Sequence, residues 1–79
     1  MGSVDTILQQ MMENPVGVRF ADLCKVCDCY FGEPRLKSGH HIYKTPWQSD
    51  PRINIQNDKG KAKAYQVRQV LKAIAKLEA

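Results

Sequence analysis

Ile7, Leu8, Met11 and Met12 stand at i, i+1, i+4 and i+5, the stripe of an amphipathic helix, and predict a short helix over residues 5–13. Asn14-Pro15-Val16-Gly17 ends it, because proline disfavours helical geometry in the residue before it and glycine breaks the pattern. Phe20, Leu23, Cys24 and Cys27 share one face of a second helix over residues 19–29, closed by Gly32. From Glu33 the period shortens. Residues 34–37 read as an edge strand, Ser38-Gly39 as a turn and residues 40–45 as a second strand. Residues 46–51, bounded by two prolines and holding Trp47, Ser49 and Asp50, form a loop. Arg52-Ile53-Asn54-Ile55-Gln56 alternates polar with apolar, so a third strand turns both isoleucines to the core. Residues 57–60 make another turn. Over residues 61–77, Val67, Val70, Leu71, Ile74 and Leu77 recur at helical spacing with no breaker among them, which predicts a terminal helix.

A helix before and a helix after three consecutive strands pack best on one face of an antiparallel meander. The expected fold is a two-layer α+β sandwich, with residues 1–17 an N-terminal extension helix and turn. Seventy-nine residues fit one domain spanning 1–79, near the lower size limit for a self-sufficient core. With 43% hydrophobic and 25% charged residues the composition is that of a folded chain. So small a domain has little space for a deep cavity, which favours a surface site on an extended polymer and disfavours a large cofactor. No segment approaches the roughly 20 apolar residues of a membrane span. The start lacks the basic-then-apolar pattern of a signal peptide, so no membrane role and a cytoplasmic location are expected.

Charge divides the chain. Residues 1–33 carry five carboxylates against Arg19 and Lys25, whereas residues 34–79 carry ten Lys or Arg against Asp50, Asp58 and Glu78. The cationic half suits a polyanion such as RNA, although charge alone does not select RNA over DNA. Lys59, Lys61 and Lys63 crowd the expected start of the last helix. There the helix dipole opposes them by roughly 0.3–1 kcal/mol each, while free amides and lysines together suit a phosphate. Arg68, Lys72 and Lys76 form an i, i+4, i+8 ladder on the same helix, as consistent with a solvated face as with binding. Arg35, Lys37 and Lys44 extend the cationic track. Tyr43 and Trp47 are candidates for stacking on unpaired bases, against the alternative of covering a core edge.

Cys24, Cys27 and Cys29 are an odd, closely spaced set that does not suggest a disulfide framework. A zinc site with His40 or His41 as the fourth ligand is one reading. Burial of the thiols on the helix face with Phe20 and Leu23 is the preferred one, and no metal is expected.

His40 and His41, the two histidines of the chain, lie in the cationic half directly after Gly39. Imidazole exchanges protons near neutral pH and serves as a general base. Alternation puts the two rings on opposite faces of a strand. If Ile42 points to the helices, His41 and Tyr43 face outward and His40 leans inward. The preceding glycine leaves that choice open.

Gly39-His40-His41-Ile42-Tyr43-Lys44 and Tyr65-Gln66-Val67-Arg68-Gln69-Val70-Leu71-Lys72 resemble two segments of the HicA toxins, a glycine–histidine strand motif and a terminal helix. The resemblance covers about residues 19–77. It implies a double-stranded-RNA-binding-domain-like (dsRBD-like) fold and a metal-independent mRNA endoribonuclease, the toxin of a toxin–antitoxin pair whose cognate partner is a HicB-like antitoxin. The family's essential histidine maps to His40, with His41 its neighbour. Two segments depart from the family pattern. Ser38 precedes Gly39 where the usual order is glycine, then a small residue, then histidine, and Gln56-Asn57-Asp58 replaces a Pro-His segment.

The expected chemistry needs no cofactor. An imidazole takes the proton of an RNA 2′-hydroxyl, which attacks the adjacent phosphate, while Lys44, Arg35 or Lys37 steadies the developing charge. The competing readings are a non-catalytic RNA-binding module, a helix-turn-helix DNA binder over residues 5–30 (disfavoured by its acidic charge), and a structural protein whose cationic face meets an acidic protein.

Overall fold

The computed structural model describes residues 3–46 and 52–78. Helix α1 (Val4–Glu13) begins at Ser3, whose Oγ accepts from the Thr6 amide at 3.2 Å. It buries Ile7 and Met11 and leaves Met12 exposed. Helix α2 (Phe20–Phe31) runs two residues beyond the expected end, because Tyr30 and Phe31 still have apolar neighbours to pack on. Gly32, at φ +86°, stops it with a backbone geometry that costs glycine little.

Four antiparallel strands follow: β1 (Arg35–Lys37), β2 (His40–Tyr43), β3 (Ile53–Asp58) and β4 (Lys61–Ala62), in the order β1-β2-β3-β4. Helix α3 (Ala64–Glu78) closes the chain. The α+β class is as expected, but the sheet has four strands where three were predicted. The difference lies in the turn at residues 57–60. Lys59 and Gly60 both adopt positive φ, and the Asn57 side chain accepts from the Gly60 amide at 2.6 Å. This geometry folds the chain straight back, so Lys61 pairs with Asp58 and Ala62 with Asn57 before the helix can begin. The Ala62 amide also donates to the Val18 carbonyl at 2.8 Å, and Phe20 N–H to the Gly60 carbonyl at 3.1 Å, so residues 18–20 cover that edge.

One face of the sheet holds the core. Tyr43, Ile55, Met11, Leu23, Val26, Cys27, Val67 and Val70 are fully buried, with Ile53, Ala62, Phe20 and Ile74 around them. Helix α3 lies on β3, α2 touches β3, β4 and α3, and α1 packs on α2 and α3. The one buried polar side chain among the described residues is Gln66, whose Oε1 accepts from the Gln56 amide at 2.9 Å. That amide lies one residue before the β3–β4 ladder starts, so Gln66 supplies the acceptor that the two-residue β4 is too short to provide.

Candidate active site on the open sheet face

Tyr43 decides how β2 presents the histidines. Its ring is fully buried, and its hydroxyl donates to Asp28 Oδ1 on α2 at 2.8 Å. Two residues earlier, on the same face, the His41 ring meets Phe20 edge-on at 5.0 Å between centroids, with Nδ1 3.8 Å from Cys24 Sγ. His40 and Ile42 therefore occupy the opposite face, on which no described helix packs. The arrangement with Ile42 inward and Tyr43 outward is thus inverted. Tyrosine brings the larger apolar surface to the core and finds a carboxylate there for its polar tip. Base stacking on Tyr43 is excluded by the same burial, and Trp47 lies outside the described residues.

The Ser38-Gly39 turn is a two-residue hairpin loop with positive φ at both positions, which sets Lys37 directly opposite His40. On the other side Gln56 is the partner of His40, and Asn54 that of Ile42. Directly opposed residues share a face, so Arg35, Lys37, His40, Ile42, Asn54 and Gln56 form one surface. His40 is half-buried, and its Nδ1 lies 2.9 Å from Asn54 Oδ1. Lys61 and Asp58 continue the same face at the β3–β4 hairpin.

The expected cationic track is only partly assembled. Arg35, Lys37 and Lys61 share the face of His40, exposed Lys44 directly follows β2, and Lys59 sits in the β3–β4 turn. Lys63 is the one lysine of its trio at the helix start, its carbonyl accepting from the Gln66 and Val67 amides. The crowding of three lysines on the helix dipole is therefore corrected to one. Arg68 lies exposed on α3, in the helical layer, with the sheet between it and His40. Asn54 and Gln56 were not singled out by the sequence. Their polar slots in the 52–56 alternation mark an outward face, but only the register brings them to His40.

The three cysteines do not share one face. Cys27 is fully buried and Cys24, one turn earlier on the same helix face, half-buried, while Cys29 is exposed. Burial first, then the charges of Cys24 and Asp28, pushes the Cys27 thiol well up; burial and the Asp28 charge push Cys24 up as well. Among the described residues no three His, Cys, Asp or Glu side chains gather where they could hold a metal ion. A groove of about 340 Å³ between the end of α1 and the start of α2 includes no residue of the sheet, so this groove and the two histidines are separate places. No described helix is long and apolar enough to cross a membrane.

Compared with protein-family models, with curated proteins and with solved structures, the chain returns no match.

Proposed function

We propose that the open sheet face is the working surface of a histidine-dependent endoribonuclease that cleaves mRNA, as the toxin of a HicA-type toxin–antitoxin module. One observation carries this reading. His40 stands on a helix-free face, opposite Lys37, beside Arg35 and held by Asn54, while His41 is packed against Phe20 and Cys24. His40 is then the general base and His41 a packing neighbour.

In this reading the imidazole takes the proton of a ribose 2′-hydroxyl. The freed oxygen attacks the adjacent phosphorus, the 5′-oxygen leaves and takes a proton from solvent, and a 2′,3′-cyclic phosphate remains. Lys37 and Arg35 offset the charge that gathers on the phosphate oxygens. Lys61, with Lys44 and Lys59 at the border, extends the surface along the RNA backbone. Lys63 adjoins it at the end of β4, and Arg68 falls outside the cleavage surface. The route needs no cofactor and no metal. The fold is a dsRBD-like core (α2, β1 to β3, α3) with α1 and β4 added. The partners are mRNA in the cytoplasm and an acidic HicB-like antitoxin that covers the same cationic face.

The test is cleavage of a single-stranded RNA against the same strand carrying 2′-deoxyribose throughout. A ribonuclease of this type cuts the first to cyclic-phosphate ends and leaves the second intact. Salt-sensitive binding of both strands without cleavage would instead support the non-catalytic RNA-binding module.

A further inference from the structure

His40 and Asn54 are diagonal neighbours on adjacent strands, since His40 faces Gln56 and Ile42 faces Asn54. The 2.9 Å contact joins His40 Nδ1 to Asn54 Oδ1. An amide oxygen accepts and never donates, so the hydrogen between these atoms belongs to Nδ1. A neutral imidazole carries one ring proton, which leaves Nε2 with its lone pair.

We infer that Asn54 is a positioning residue that holds neutral His40 in the Nδ1–H tautomer and so presents Nε2 as the proton-accepting atom. This rests on the reading of His40 as general base and names the atom that does the work. The other groups on this face do not compete for the Nδ1 hydrogen. Lys37 and Arg35 on β1 only donate. Gln56 is the directly opposed residue on β3, but the acceptor at hydrogen-bond distance from Nδ1 is Asn54 Oδ1, and Asp58, the one carboxylate on the described strands, stands across the hairpin from Lys61. The chemistry also favours an amide over a carboxylate at residue 54. Asn54 accepts the imidazole hydrogen without placing a negative charge where a phosphate has to sit.

The test uses long-range 1H–15N correlation spectra of the full chain without RNA, at a pH where the ring is neutral, with Asn54→Leu and Asn54→Asp beside the wild type. Residue 54 is exposed, so neither change disturbs the core, and unaltered His41 signals confirm that. The wild type and Asn54→Asp show a protonated Nδ1 and an unprotonated Nε2, whereas Asn54→Leu moves the proton to Nε2. With RNA, Asn54→Leu lowers kcat roughly 10- to 100-fold with little change in KM, part of the ~10²–10⁴-fold a positioned base supplies. Asn54→Asp raises KM. A wild-type ring protonated at Nε2, or an Asn54→Leu variant with unchanged tautomer and kcat, overturns the inference. The spectra need no turnover, so a wild-type chain that leaves RNA intact refutes the ribonuclease while the tautomer stands or falls on its own signals.

Discussion

Tyr43 on β2 donates its hydroxyl to Asp28 on α2 at 2.8 Å, and this contact fixes the face on which each histidine lies. Reverse the strand and His40 would be buried. Tyr43→Phe keeps the ring in the core but removes the bond to a charged acceptor, worth about 1–2 kcal/mol where that acceptor is partly hydrated. Urea unfolding is expected to show a midpoint lowered by that free energy divided by an unchanged slope, because the same surface is still buried.

The two histidines differ in what they contribute to stability. His41 lies edge-on against Phe20, so His41→Ala forfeits a ring contact and some burial and lowers stability by about 1–2 kcal/mol. His40 is on the open face, and His40→Ala stays within about 0.5 kcal/mol of the wild type. Thermal unfolding of the two variants side by side checks the ordering.

Alkaline pH destabilises the fold. Burial raises the Cys27 thiol above its ordinary 9.0, so beyond pH 9 the unfolded chain releases this proton while the folded chain keeps it. The folded state then binds more protons, and stability falls with rising pH by about 1.4 kcal/mol per pH unit from this group. Tyr43, raised by burial and by its bond to Asp28, adds a loss of the same sign from pH 10 upward. Below pH 9 the contribution of Cys27 is fully present. Denaturant midpoints from pH 7 to pH 11 are expected to hold level and then decline, with a shallower decline in Cys27→Ala.

Gln66 accepts the Gln56 amide from within the core. Gln66→Leu leaves that amide without an acceptor and costs about 1–3 kcal/mol. Hydrogen exchange at Gln56 is expected to accelerate in the variant more than exchange at Ile55 beside it.

The helices were legible because each buries a stripe that periodicity exposes: Ile7 and Met11, Leu23 and Cys27, and Val67, Val70 and Ile74. Ile53 and Ile55 likewise announced β3 and its inward face. Two features were hidden for different reasons. The facing of β2 turns on a tertiary partner, Asp28, fifteen residues before Tyr43, and local alternation cannot weigh Tyr43 against Ile42 without it. Strand β4 is two residues long and joins directly to a helical run, so its pairing with Asn57 and Asp58 leaves no period to detect. The candidate site was half-visible. His40, Lys37 and Arg35 are legible in the sequence, but Asn54 and Gln56 come onto the face of His40 only through the strand register.

The most direct measurement is incubation of the purified chain with single-stranded RNA in EDTA, comparing wild type, His40→Ala and His41→Ala. Cleavage is expected to survive the chelator, to disappear in His40→Ala and to persist in His41→Ala below its lowered unfolding temperature. Intact RNA with the wild type, or cleavage undiminished in His40→Ala, would contradict the proposed function.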